Sequence, residues 1–267
     1  MKLSTWNING VRAREVDVAA FLTEHAPDVL CLQETKIPCD QFPHEKLQAL
    51  GYDALCWGEK SFNGVALLHK PNVSFSHVVR GLLDDAGEAQ AVGGCRAIGG
   101  LVGIQGQTYW LQNVYCPMGE AVGSEKFVLK ETFYTALARH LNIIQKQHDV
   151  PVLVCGDFNI APNPIDIHNP EKFGQDLPTT PQEQSWMQAL KTQCGLVDVY
   201  RQWHPEEADV FTWWDYRTYK YRPKAGWRID YWLVSESAVP NVKAITHHKH
   251  MRQTERPSDH VPVEMEM

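Results

Sequence analysis

Val152-Leu153-Val154-Cys155-Gly156-Asp157-Phe158-Asn159 opens as four apolar residues and closes on an acid and an amide. A short run rich in β-branched residues, bounded by a glycine, reads as a buried strand. The same layout recurs outward from it. Leu3–Trp6 runs into Asn7-Ile8-Asn9, Val29–Leu32 into Gln33-Glu34, and Tyr109–Val114 into Tyr115, while Val65–Leu68 and Ile229–Val234 are further strand-like runs. Each strand that ends this way delivers a polar group. In helix-covered sheets, ligands bind at strand ends, where rigid backbone hands side chains to open space. Between the runs, Phe133, Leu137, Leu141 and Ile144 share one helical face. Thr180-Pro181-Gln182-Glu183 fits a capping box with proline at the first helical position, ahead of Trp186 and Leu190. The class is mixed α/β.

The 267 residues, 43% of them hydrophobic, suffice for one large α/β core or two small ones. No linker, repeat or low-complexity tract divides them, so a single domain over residues 1–267 is expected. The longest polar excursion, Ala161 to Pro181, is a candidate groove lining. No apolar stretch reaches the roughly eighteen residues of a membrane span, and the first residues lack a signal peptide's apolar core. A cytoplasmic protein without membrane contacts is expected. Seven scattered cysteines without a C-x-x-C pair imply reduced thiols and argue against zinc. The net charge of −7 excludes a chain-wide nucleic-acid footprint. Positive charge for a polyanion must therefore be local, and Lys36, Lys60, the stretch from Arg217 to Arg228 and that from Lys249 to Arg256 are the candidates.

Glu34 and Asp157 stand beside runs that would make an unpaired carboxylate costly. With no Cys/His cluster available, a hard divalent cation bound by oxygens is the natural partner, and Mg²⁺ is the usual one where phosphate is also a ligand. Asp230 lies inside an apolar alternation, and Asp259-His260 places an acid beside an imidazole. An Asp accepting from one ring nitrogen fixes the tautomer and raises the basicity of the other, which makes Asp230 the candidate partner of His260. His247-His248-Lys249-His250 reads better as a solvated surface run than as a metal tract, because Mg²⁺ does not seek imidazole.

Taken in order, Trp6-Asn7-Ile8-Asn9-Gly10, Leu32-Gln33-Glu34-Thr35-Lys36, Gly64-Val65-Ala66-Leu67-Leu68, Asn113-Val114-Tyr115, Gly156-Asp157-Phe158-Asn159, Trp227-Arg228-Ile229-Asp230-Tyr231 and Ser258-Asp259-His260 resemble the motifs of exonuclease III-type AP endonucleases. The resemblance spans the chain. It implies a four-layer α/β sandwich, two packed mixed β-sheets flanked by helices, with the active site at one edge. It further implies a Mg²⁺-dependent DNA repair phosphodiesterase, with Mn²⁺ as a substitute metal. Such an enzyme incises 5′ to abasic sites, leaves a 3′-hydroxyl, and trims 3′ phosphates, 3′ phosphodiesters and 3′ ends in base excision repair. Its partner is double-stranded DNA with abasic sites or damaged 3′ ends, bound by a monomer.

Carried over by position, Glu34 is the principal metal ligand, with Asn7 and Asp259 close by. Asp157 orients or deprotonates water and Asn159 holds that water or the phosphate, although both could instead ligate a second ion. His260, paired with Asp230, donates to the phosphate, and Tyr115 contacts it or helps the leaving group; Asn7 counts with the catalytic set. Trp213, Trp227 and Ile229 match the pocket for a base-less deoxyribose, a substrate recognised by shape because it has no base edge to read. Lys36 and Arg228 complete the expected substrate contacts. Met118 stands where the family commonly has an amide. The competing readings are a nonspecific deoxyribonuclease or another phosphodiesterase of the same superfamily, and a non-catalytic DNA-binding module, against which the intact acids speak.

Overall fold

The strand-end pattern is realised by two six-stranded sheets packed face to face. The structure is a computed structural model that describes residues 1–172, 179–215 and 226–267. Its strands are β1 (Lys2–Asn7), β2 (Val29–Gln33), β3 (Asp53–Trp57), β4 (Val65–His69), β5 (Phe75–Arg80), β6 (Leu82–Leu83), β7 (Ala89–Gln90), β8 (Ala97–Ile104), β9 (Gln107–Tyr115), β10 (Val152–Asp157), β11 (Leu196–Asp198), β12 (Asp230–Ser235), β13 (Ala244–His247) and β14 (Val263–Glu266). The helices are α1 (Glu15–His25), α2 (His44–Ala49), α3 (Glu125–His148), α4 (Pro181–Cys194) and α5 (Val199–Trp203). One sheet runs β13-β14-β1-β2-β4-β3 and the other β11-β12-β10-β9-β8-β5.

Alternation along each strand explains the layers. Leu3, Val29, Cys31, Val65 and Leu67 face Ile98, Leu111, Leu153, Cys155 and Trp232 of the other sheet in one buried cluster. The neighbours pointing the other way, Trp6, Leu30, Leu32, Ala66 and Leu68, pack under Val18, Phe21 and Leu22 of α1. On the far side Val114, Val152 and Val154 meet Phe133, Leu137, Leu141 and Ile144 of α3, with Met187 and Leu190 of α4. Strands buried on both faces read as continuous apolar runs, which is why those stretches stood out. The result is the expected four-layer sandwich. The α4 capping box forms as expected, with Thr180 Oγ1 accepting from the Glu183 amide at 3.2 Å and Glu183 Oε2 accepting from the Thr180 amide at 2.7 Å.

Register brings the polar strand ends together. β1 and β2 run parallel with Asn7 opposite Gln33, one residue before Glu34. In the second sheet Asp157 lies opposite Tyr115 of β9 and Asp230 of β12, so a single row carries three candidate residues. A Cβ at Gly156, where φ is 135°, would stand 1.9 Å from the Val114 carbonyl oxygen, so β9 and β10 close to this register only around a glycine. Between the sheets Gln33 Nε2 donates to Asn113 Oδ1 at 2.7 Å, and Asn113 Nδ2 donates to the Leu32 and Ala66 carbonyls at 2.9 and 3.0 Å. These bonds satisfy polar groups that would otherwise be costly to bury.

His140 of α3 is fully buried. Its Nδ1 accepts from the Leu83 amide at 3.1 Å, so Nε2 is the nitrogen that donates to Gln112 Oε1 at 2.9 Å. Burial pushes its pKa down to about 3. Above about pH 6.5 the ring is neutral whether the chain is folded or not; below that, the unfolded chain takes up a proton that the folded chain refuses. Stability should therefore fall on acidification from pH 6.5 towards 4, with His140 contributing up to about 1.4 kcal/mol per pH unit. Urea unfolding across this range should show a slope shallower by about one proton in His140→Gln. An unchanged slope would exclude this role.

Candidate active site

At one edge of the sandwich a single amide nitrogen ties the two sheets together. Asn7 Nδ2, at the end of β1, donates to Glu34 Oε1 at 2.8 Å and to Asp157 Oδ2 at 2.9 Å. Its own Oδ1 accepts from the Asn9 amide at 3.0 Å. In this arrangement the side chain turns its donor towards the carboxylates and sets Glu34 and Asp157 relative to each other. Lys36 Nζ lies 2.8 Å from Glu34 Oε2 and also donates to Asn9 Oδ1. Asp259 Oδ1 accepts from Asn9 Nδ2 at 3.0 Å, and its Oδ2 accepts from Trp213 Nε1 at 3.1 Å.

The second sheet contributes the other half. Asp157 Oδ1 accepts from the Asn159 amide at 2.9 Å, while Asn159 Nδ2 donates to the Cys116 carbonyl at 2.9 Å. His260 Nδ1 stands 2.9 Å from Asp230 Oδ2, and Nε2 faces Asp157 Oδ2 at 3.7 Å. The backbone pays locally: Asn9, Glu34, Lys36 and Asn159 have φ of 47°, 53°, 57° and 52°. Such conformations are uncommon outside glycine and persist where surrounding contacts over-determine them, as at functional sites.

Electrostatics divides the groups by task. Burial pushes the Glu34 carboxyl up, but the Lys36 charge and the Lys36 and Asn7 hydrogen bonds outweigh it, so Glu34 stays below its ordinary pKa and ionised. Burial lifts Asp157 above the carboxylate range against the pull of His260, and Asp230 adds to the rise. Burial alone would keep His260 neutral, yet Asp230 and Asp157 more than offset it and hold the ring protonated. Burial, Glu34 and Asp157 push the Tyr115 phenol well up, which keeps its proton in place. The Arg96 guanidinium covers the Tyr115 ring 4.5 Å from its centroid and bonds the Tyr115 carbonyl at 3.2 Å.

Four carboxylates, of Glu34, Asp157, Asp230 and Asp259, thus crowd around the cations Lys36 and His260. Asp230 Oδ1 is buried without a hydrogen-bond partner among the described residues. Such an oxygen-rich, negatively charged donor set fits a hard divalent cation. The three ligand atoms of Asp157, Asp230 and His260 lie within 4.8 Å of one another, but the Asp230–Nδ1 bond engages the imidazole and points to a donor pair instead of a ligand set.

Beside Asp259 lies an apolar patch in which Trp213 and Trp227 pack with Ala161, Ile167 and Ile229, the two indoles 4.6 Å apart. Trp214 instead joins the core with Phe211 and Val261. Arg228 is corrected. Its guanidinium is 1% exposed and bonds Asp166 Oδ1 and Asp198 Oδ2, each at 2.7 Å, so it braces the loops beneath the patch and cannot reach a phosphate. The histidine tract is corrected as well: His248 is buried against Phe21 and is not part of a solvated run. The basic positions 217–225 and loop positions 173–178 lie outside the described residues.

The model described as the Endonuclease/Exonuclease/phosphatase family matches residues 4–260, and the chain belongs to that family. Exodeoxyribonuclease III of Haemophilus influenzae is 35% identical to it, with 98% of each chain covered. Among solved structures, a Neisseria 3′ phosphatase bound to a product DNA hairpin superposes with a TM-score of 0.88 at 36% identity, covering 100% of this chain and 99% of that one. An AP endonuclease from Archaeoglobus fulgidus gives 0.84 at 30% identity, covering 99% and 98%.

Sequence reasoning missed Lys130, a helix residue with no local signal. It is 1% exposed, donates to the Asn159 carbonyl at 2.7 Å and to the Met118 carbonyl at 3.1 Å, and pairs with Glu183 Oε1. Glu183 was recognisable as half of a capping box, but not as the counter-charge that lets Lys130 hold Asn159. Removing one partner of a buried pair typically costs about 3–5 kcal/mol. Lys130→Met should destabilise the fold by about that much and loosen Asn159. Urea unfolding would measure the loss, and a change below about 1 kcal/mol would show that the pair does not brace the site.

Proposed function

We propose that the chain is a Mg²⁺-dependent DNA repair phosphodiesterase that cleaves 5′ to abasic sites and processes damaged 3′ ends, with Mn²⁺ as a substitute ion. The observation that carries this reading is the convergence of Glu34, Asp157, Tyr115 and the His260–Asp230 pair at one cleft beside the Trp213–Trp227–Ile229 patch. The names of the relatives, an exodeoxyribonuclease, a 3′ phosphatase and an AP endonuclease, support the same substrate class.

Glu34, with Asp259 and Asp157 nearby, would hold the cation, which supplies charge neutralisation at the phosphoryl oxygens and help for the departing oxygen. Asp157 accepts a proton from the attacking water as its oxygen bonds to phosphorus. Asn159 orients that water or the phosphate. Protonated His260 donates from Nε2 to a non-bridging oxygen, where charge develops in the transition state. The bond from phosphorus to the 3′ oxygen breaks, and the protonated Tyr115 phenol stands ready to stabilise the leaving oxygen. Half-buried Trp213 and Trp227 offer a flat apolar surface to a deoxyribose without its base. Lys36, half-buried, can turn from Glu34 to a DNA phosphate, and exposed Lys60 adds local positive charge.

The direct test compares duplexes bearing one tetrahydrofuran site, a 3′-phosphate or no damage, together with a soluble inositol phosphate. Cleavage at the tetrahydrofuran site, abolished by EDTA and restored by Mg²⁺, is expected; equal cleavage of undamaged duplex would favour a nonspecific nuclease, and turnover of the inositol phosphate alone would sink the DNA assignment. Asp157→Asn should lower turnover by about 10²–10⁴-fold while thermal unfolding stays cooperative. Glu34→Gln should shift the Mg²⁺ response to higher concentration, and an unchanged response would remove Glu34 from the metal.

A further inference from the structure

Away from the carboxylate cleft, the end of α1 meets the segment between β13 and β14. His25 closes α1, and its Nε2 lies 3.5 Å from His250 Nε2. The His248 ring packs 4.2 Å from that of His25, and both rest on Phe21, at 5.2 and 4.8 Å. One ligand atom from each of the three histidines falls within 4.8 Å of the other two.

We propose that His25, His248 and His250 form a second metal site, separate from the cleft, that takes a borderline divalent transition ion such as Zn²⁺ and fastens α1 to the chain leading into Ser258-Asp259-His260. Tetrahedral Zn²⁺–imidazole bonds of about 2.0–2.1 Å place neighbouring ligand nitrogens about 3.3 Å apart, close to the His25–His250 spacing. Independently of that spacing, His248 is 7% exposed and its Nε2 has no hydrogen-bond partner among the described residues. The nearest carboxylate oxygen, Glu264 Oε2, is 3.9 Å away, beyond hydrogen-bond reach. A buried polar atom without a partner is costly, and a metal bond would satisfy it.

The donor chemistry selects the ion. Imidazole favours Zn²⁺, Cu²⁺ or Ni²⁺, whereas Mg²⁺ prefers the oxygens of the cleft, so the two sites sort their metals by ligand type. Three imidazoles leave one tetrahedral position to water, reached from the side of exposed His250.

The probe is Zn²⁺, with Co²⁺ for spectroscopy, added to the untagged full chain in excess Mg²⁺ so that the cleft is occupied. One equivalent of Zn²⁺ should bind by calorimetry, and Co²⁺ should give the intense visible bands of tetrahedral nitrogen coordination. Tm should rise by roughly 5–10 °C at Zn²⁺ about a hundredfold above its Kd. His250→Ala, at an exposed position that leaves folding intact, should weaken binding by about a hundredfold or more and abolish the Co²⁺ bands. His25→Ala should do the same. Absence of stoichiometric binding, or binding and bands that persist in both variants, would overturn the proposal.

Discussion

The geometry of the cleft hangs on the hydrogen bonds that Asn7 Nδ2 makes to Glu34 and Asp157. Acidic side chains from two sheets are held close together in a poorly solvated place, where their repulsion is strong. A neutral donor between two of them, Lys36 against one and protonated His260 against the other make the crowding tolerable. The carboxylates are thereby pre-positioned instead of being gathered by the ligand, which spares reorganisation when chemistry begins.

Beneath this layer lie two buried cations, each engaged by dedicated counter-charges. Lys130 ties the Asn159 backbone to the start of α4 through Glu183. Arg228, between Asp166 and Asp198, fixes the strand entry that presents Ile229 and Asp230. Both are residue types usually assigned to phosphate binding in a nuclease. What separates them from Lys36 is burial and the presence of dedicated counter-charges, properties of three-dimensional context.

The parts of the fold most legible in the sequence were those with unusual local chemistry. β1, β2, β9 and β10 combine apolar runs with a polar terminus, and α4 carries its cap in four consecutive residues. β3, β5, β8, β11, β13 and β14 lack that signal: β5 is only partly buried and contains Ser76 and His77, β8 carries Gly99, Gly100 and Gly103, and β11, β13 and β14 are only three or four residues long. Of the site, the acids and His260 followed from strand-end logic and family likeness together. The donor orientation of Asn7, the burial of Arg228 and the grouping of His25 with His248 depend on contacts between residues more than twenty apart, which no local pattern encodes.

The row Tyr115, Asp157, Asp230 limits where the molecule can change length. Side chains alternate across a strand, so deleting one residue from β10 would swing Asp157 out of the cleft and dissolve the alignment with both neighbours. Connections outside the strands carry no such penalty. Insertions that alter how the substrate is gripped are therefore confined to the rims, and substrate preference can diversify there while the hydrolytic centre stays untouched.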